Sequence, residues 1–261
     1  MSILFSGDFH ANARDELSCI TRKALLKNYG QEKFDDIRYH IILGDAGFLW
    51  PGNQKNDLIN YYSLACRPFP VLCVIGNHEP ILGMKDLEET DIGLGETVFQ
   101  INENPFVAYL KRGKIYTIDG IKFLVLGGAL SIDLCYRIPD RTWWANEYWT
   151  DQEKIDVFKL LETENVFDCV ISHTGPHHIN YKLFSRQMYT EDKFFDEVAL
   201  LNDLIHNKIQ FKEWFCGHWH EDRLFLNKTS KREYRYLYET TNILEKTGGS
   251  LKIFNESHES E

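Results

Sequence analysis

The sequence predicts a layered α/β fold with mixed sheets covered by helices, and three observations predict it. Short apolar runs rich in Ile, Leu, Val and Phe recur, each stopping abruptly at Gly or a polar cluster, as strands buried on both faces do. Helical patterns lie between several of them, and that alternation argues for sheets with helices packed on them. Two further regions hold apolar runs separated only by turns, which calls for antiparallel pairing beside the parallel kind.

In chain order, Ile3 to Ser6 is the first strand. Asn12 can cap a helix with Leu17, Ile20 and Ala24 on one face and Gly30 just past its end. Strands follow at Tyr39 to Leu43 and Val71 to Ile75. From about Lys111 to Leu126, KIYTIDGIKFLVL reads as a hairpin turning at Asp119-Gly120, its second arm holding the Phe123 to Leu126 strand. Thr150 and Glu153 form a capping box ahead of Ile155, Phe158 and Leu161. After the Cys169 to Ser172 strand, Phe194, Val198, Leu201 and Ile205 recur at helical spacing, and Trp214 to Cys216 is the sixth core strand. Beyond Gly217, Leu224 to Leu226, Tyr234 to Tyr238 and Leu251 to Phe254 are strand-like runs parted by polar turns.

At about 150 residues per domain, 261 residues make one large domain or two small ones. No repeat or linker-like stretch divides the chain, so residues 1–261 are expected to form one domain, with Asn255 to Glu261 as a frayed acidic tail. A 43% hydrophobic and 26% charged composition excludes a disordered chain. The balance of 29 Lys+Arg against 39 Asp+Glu, net −10, argues against non-specific binding to nucleic acid or an anionic membrane. Met1 to Asp8 lacks the features of a signal peptide, and no stretch approaches the roughly 20 apolar residues of a membrane helix. The expectation is a soluble cytoplasmic protein. The six cysteines form no C-x-x-C pair, and Cys73, Cys169 and Cys216 lie inside apolar runs, as free core thiols do.

The polar residues that follow the core strands carry the functional reading. They are Gly7-Asp8-Phe9-His10, Gly44-Asp45, Gly76-Asn77-His78-Glu79, His173 and Gly217-His218-Trp219-His220. In an open α/β sheet ligands bind beyond the carboxyl ends of the strands, so these five clusters should converge although more than two hundred residues separate the first from the last. In extended chain, i and i+2 share a side, which lets Asp8 and His10 address one ion and lets His218 and His220 present two imidazoles to one site. Two Asp, one Asn and four His make a nitrogen and oxygen donor set, suited to Mn, Fe or Zn and unsuited to a structural cysteine site. The donors are too many for one ion. Two ions sharing a carboxylate would use them all.

These blocks, D-x-H, G-D, G-N-H-[DE], a later His and G-H-x-H, resemble those of the calcineurin-like metallophosphoesterase family over Asp8 to His220. The resemblance implies a β-sandwich of mixed sheets flanked by helices, with a two-metal site on one edge. By the same resemblance Asp8, His10 and His220 hold the first metal, Asn77, His173 and His218 the second, and Asp45 bridges them. His78 is then no ligand but faces the leaving group as general acid or transition-state stabiliser, with Glu79 as its acidic neighbour. The implied reaction is phosphate-ester hydrolysis by a metal-bridging hydroxide attacking phosphorus in line. The implied cofactors are two divalent ions, Mn first, with Fe, Zn, Ni or Mg as substitutes.

The second block continues Ala46-Gly47-Phe48-Leu49-Trp50, without the second Asp and the Arg of the protein serine/threonine phosphatase branch, and Glu79 is followed by Pro80-Ile81-Leu82. Ser172-His173-Thr174-Gly175-Pro176 is closer to the bacterial phosphodiesterase-like branches. Gly-Asp-x-Gly-x-x-Trp, Gly127-Gly128-Ala129-Leu130-Ser131-Ile132-Asp133 and Trp143-Trp144 resemble blocks of a bacterial and phage group. Expected substrates are a phosphomonoester or a small phosphodiester or nucleotide. The alternatives are a nuclease-type phosphodiesterase and a non-catalytic module that keeps the metal site. Asn77, Arg137 and Arg141 are the expected substrate contacts, the arginines through their planar fork. Trp143, Trp144 and Trp149 either stack on a base or pack inside, His177 and His178 sit near the pocket rim, and His40, His206 and His258 read as structural or surface residues.

Overall fold

A computed structural model describes residues 2–8, 10, 18–49, 59, 69–80, 87–104, 106–131, 134–188 and 196–255. Strand β1 (Ser2–Ser6) runs parallel to β2 (Ile37–Ile42), with α1 (Arg22–Asp36) between them in the chain. β2 continues parallel to β3 (Val71–Cys73), and β3 to β6 (Val107–Leu110). β4 (Glu88–Thr90) and β5 (Val98–Asn102) close one side antiparallel, while β13 (Asn242–Thr247) and β14 (Ser250–Asn255) close the other. The first sheet therefore has the order β14-β13-β1-β2-β3-β6-β5-β4.

The second sheet is built on β8 (Ile121–Val125), β9 (Cys169–Ile171), β10 (Glu213–Cys216) and β12 (Arg232–Tyr236), all parallel. β7 (Lys114–Ile118) and β11 (Arg223–Asn227) are its antiparallel edges. The β7–β8 hairpin turns at Asp119 and Gly120, both at positive φ, as a two-residue turn of this hand requires. Both sheets are mixed, as expected.

Residue alternation sorts the core into layers. Ile3 and Phe5 face the second sheet, where Phe5 stacks on Phe215 with ring centroids 4.3 Å apart, while Leu4 faces Leu25 and Phe34 of α1. The outer face of the second sheet packs Val170, Trp214 and Tyr236 against α2 (Asp151–Thr163), α3 (His177–Met188) and α4 (Glu197–His206). The result is a sandwich of two sheets flanked by helices.

Several boundaries differ from expectation. Asn12, Leu17, Phe194, Trp50 and His258 lie outside the described residues. Ser18–Ile20 is a separate 3-10 turn, and α1 begins after Thr21, whose hydroxyl accepts from Ala24 N–H. Gly30 does not end α1 but kinks it at φ 80°; helix resumes because Phe34 reaches the same core as Leu25. The Thr150 and Glu153 capping box is formed as read. Asp196 caps α4 through Val198 and Ala199 N–H. Asn255 belongs to β14, paired with Asn242, and the rest of the expected tail lies outside the described residues. Cys19, Cys73, Cys169 and Cys216 are buried free thiols. No described helix is long and apolar enough to cross a membrane.

Candidate metal centre

The carboxyl ends of β1, β2 and β3 in one sheet and of β9 and β10 in the other open on one edge of the sandwich. Backbone bonds tie these ends to one another and to the end of β8: Leu43 N–H donates to Ser6 O at 3.0 Å, Gly128 N–H to Ile75 O at 2.7 Å, and Gly217 N–H to His173 O at 2.9 Å. Two glycines let the loops close. A Cβ on Gly44, at φ 100°, would lie 2.2 Å from His173 Nδ1, and one on Gly217 would lie 2.2 Å from Asp8 Oδ1.

All seven expected ligands come together here. His10 Nε2 lies 3.6 Å from Asp8 Oδ2 and 2.7 Å from His220 Nε2, and His220 Nε2 is 3.4 Å from Asp8 Oδ2. Asp45 Oδ2 lies 3.9 Å from His10 Nε2, 3.5 Å from His173 Nε2 and 3.7 Å from His78 Nε2. His173 Nε2 is 2.9 Å from Asn77 Oδ1, and the His218 ring stands 5.0 Å from that of His173. The convergence is not made by extended chain, which was the sequence expectation. His10, His218 and His220 have φ of 43°, 70° and 49°, and Asp45 has 48°. Left-handed backbone in residues with a side chain is uncommon and strained, and it gathers at functional sites.

The charge pattern fits divalent cations. Asp8 and Asp45 are buried, and among the described residues their ion-pair partners are all imidazoles. Burial raises both carboxyls, but His173 foremost outweighs it, lowering Asp8 and holding Asp45 well below the usual range. His173 responds in kind: burial lowers it, yet Asp45 and Asp8 raise it to about 10. Its Nδ1 is fixed 2.8 Å from Leu43 O, so Nε2 is the nitrogen left facing Asn77 and Asp45. Burial and then His173 push His218 down to about 3, so its imidazole is neutral, as a ligand must be. Three groups of donors lie within 4.8 Å of one another: Asp8 with His10 and His220, Asp8 with Asp45 and His173, and Asp45 with His10 and His78. The oxygen and nitrogen set suits Mn, Fe or Zn.

The residues expected to touch substrate divide. Arg137 sets Nη2 2.8 Å from His78 Nε2 and Nη1 3.1 Å from Nδ1, while Arg141 stands exposed in the loop beyond. Burial lowers His78 to about 4 against the pull of Asp45, and Arg137 adds to the lowering. His78 N–H donates to Asp45 Oδ1 at 2.9 Å. Glu79 is buried, and its carboxyl accepts from the N–H groups of Gly76, Asp45 and Gly47 and from the Tyr109 hydroxyl. Burial and Asp45 push Glu79 up to about 8.

Other features escaped the sequence. Asn77 Nδ2 donates to Ser131 Oγ at 2.8 Å, and Ser131 is held by the buried Glu147. The available signal was a lone acid among three tryptophans, Trp143, Trp144 and Trp149. Trp144 and Trp149 are buried, with Trp149 Nε1–H bonded to Gly127 O. His177 and His178 open α3, and His178 pairs with Asp203. His40 is buried against Ser6 Oγ, and His206 meets the Tyr234 hydroxyl. Ile132 and Asp133 lie outside the described residues, as do Phe9, Ile81 and Leu82.

The model of the calcineurin-like phosphoesterase family matches residues 1–222. No curated protein matches the sequence. Among solved structures, the chain is similar to phosphopantetheinyl hydrolase (PptH) from Mycobacterium tuberculosis at 10% identity and a TM-score of 0.47, covering 91% of this chain and 90% of that one. A candidate 5′-nucleotidase from Staphylococcus aureus, in complex with alpha-ketoglutarate, gives 12% identity and a TM-score of 0.45; 98% of this chain is covered but 52% of that one. Vps29 from Entamoeba histolytica, complexed with zinc, gives 12% identity and a TM-score of 0.31 over 98% of each chain.

Proposed function

The chain belongs to the calcineurin-like phosphoesterase family, and on that premise we propose that it hydrolyses phosphate esters with two divalent ions. The observation that carries this reading is the position of Asp45, whose Oδ2 faces His10 on one side and His173 on the other at 3.9 and 3.5 Å. Asp8, His10 and His220 would hold one ion, Asn77, His173 and His218 the other, with Asp45 shared. When bound, such ions polarise the phosphoryl oxygens and make a water acidic enough to attack near neutral pH.

The protein's own groups do the rest. Arg137 lies against His78, so an incoming phosphate meets a guanidinium and an imidazole together. The anion's charge favours the protonated imidazole, against the burial that otherwise keeps His78 neutral, and His78 then has a proton to give the departing alkoxide. Glu79 acts through position in this reading: its carboxyl gathers the backbone of the Asp45 and Asn77 loops. The substrate class is a phosphomonoester or a small phosphodiester or nucleotide; the net charge of −10 disfavours an enzyme that tracks long DNA.

The test is metal-stripped protein assayed on p-nitrophenyl phosphate and bis-p-nitrophenyl phosphate, with Mn2+ restored or EDTA present. Turnover that returns with Mn2+ and stops with EDTA is expected, and the ratio of the two rates assigns monoester or diester preference. Equal turnover with and without metal would sink the two-ion reading.

A further inference from the structure

Asn77 is an amide, and an amide can present either its oxygen or its nitrogen to the pocket. Only the oxygen can ligate a cation, so something must decide which way it faces. Asn77 Nδ2 lies 2.8 Å from Ser131 Oγ, while Oδ1 lies 2.9 Å from His173 Nε2. A hydroxyl has one proton, and that of Ser131 is already committed: Oγ donates to Glu147 Oε1 at 2.6 Å, and the Ser131 N–H donates to Glu147 Oε2 at 2.9 Å. Ser131 can therefore only accept from Asn77, which forces the NH2 group outward and the oxygen inward.

All three members are buried: Asn77 is 2% exposed, Ser131 3% and Glu147 0%. Water cannot substitute for a partner there, which makes the direction of each bond matter. Glu147 itself stands on a 3-10 turn, Ala145–Glu147, between buried Trp144 and Trp149, so its place is set by packing.

We propose that Glu147 and Ser131 are positioning residues for the second ion, a two-bond relay that orients the Asn77 carboxamide so that Oδ1 faces His173 and the metal. The proposal rests on the two-ion reading above. It predicts opposite effects for variants of nearly equal size. Ser131→Ala removes the acceptor and frees the amide to turn. Glu147→Gln places an NH2 against Ser131 Oγ, so that the hydroxyl proton points at Asn77 and favours the flipped amide. Ser131→Thr keeps the hydroxyl and the relay.

Mn2+ binding to the full-length protein, followed by calorimetric titration and elemental analysis, tests this without recourse to activity. For Ser131→Ala and Glu147→Gln, affinity for one of the two ions should fall about 10- to 100-fold, the usual effect of losing a group that orients a ligand. Affinity for the ion at Asp8, His10 and His220 should stay, and Ser131→Thr should restore the wild-type isotherm. Unchanged binding of both ions by Ser131→Ala and Glu147→Gln would overturn the relay while leaving the two-ion reading intact. Equal weakening of both ions together with a lowered melting temperature would overturn it in favour of a merely structural role. A wild-type protein that takes up only one Mn2+ would overturn the two-ion reading, and the relay with it.

Discussion

Asp45 and His78 share one loop contact, and the proposed reaction gives them different parts. Asp45 Oδ2 faces the imidazoles of both ligand groups, while its Oδ1 accepts the His78 N–H, so Asp45→Asn keeps an acceptor for the loop but loses the charge. Two imidazole-rich groups with Asp8 as their last carboxylate should then release metal: elemental analysis of Asp45→Asn should find fewer than two ions, and activity should vanish with them. His78→Gln should keep both ions and lower kcat by about 10²- to 10⁴-fold, the range of a lost proton donor. A His78→Gln protein as fast as wild type would remove the imidazole from the reaction. These residues were legible because each follows a buried strand, where chain order alone predicts convergence. Arg137 against His78, and Glu79 turned to the amides of Gly76 and Asp45, were not, since neither contact leaves a pattern at fixed spacing. The left-handed φ of His10, His218 and His220 also has no sequence signature outside Gly and Asn.

A local signal placed the capping box and the β7–β8 turn correctly, but Gly30 misled as the end of α1, and elements without a signal were missed. The α2 cap is the clearest: Thr150 Oγ1 accepts from Glu153 N–H, and Glu153 also clamps Arg112 through both its oxygens. Thr150→Ala should therefore cost about 1 kcal/mol in urea unfolding, as lost caps do. A change below a few tenths would assign α2's stability to Val157 and Leu161 alone. By contrast, α3 begins directly after Pro176 with two histidines, and β4, β5 and β6 are too short to show a period. β2 carries a hidden cost. His40 is buried at Ser6 Oγ, and burial lowers it from 6.5 to about 3. The unfolded chain thus binds the extra proton between those values. The contribution is complete above about pH 6.5 and is lost as pH falls toward 3, at about 1.4 kcal/mol per unit. Urea midpoints at pH 7, 6 and 5 should fall more steeply for wild type than for His40→Asn. Parallel slopes would take His40 out of the acid response.

The site and the sandwich depend on each other. Asp8, His10, Asp45 and Asn77 follow strands of the first sheet, and His173, His218 and His220 follow strands of the second. Each proposed ion therefore takes ligands from both sheets, and neither set exists until Phe5 has stacked on Phe215 and the two inner faces have closed. An ion that binds only the closed form stabilises it by mass action, about 2.7 kcal/mol per site at a hundred times Kd. In a chain of this size that is roughly 5–10 °C of melting temperature per site. Calorimetric scans in EDTA and in excess Mn2+ should differ by at least this much, with the shift growing with the logarithm of free Mn2+, whereas Asp45→Asn should melt at nearly one temperature in both. Coincident wild-type scans would mean that the two carboxylates and their imidazoles satisfy one another without metal. The raised His173 makes that the competing state: with Nδ1 bonded to Leu43 O, the proton on Nε2, facing Asn77 and Asp45, is what a cation must displace. The Mn2+-induced shift should therefore shrink as the pH is lowered, because each unit of acid strengthens the proton's hold against the ion.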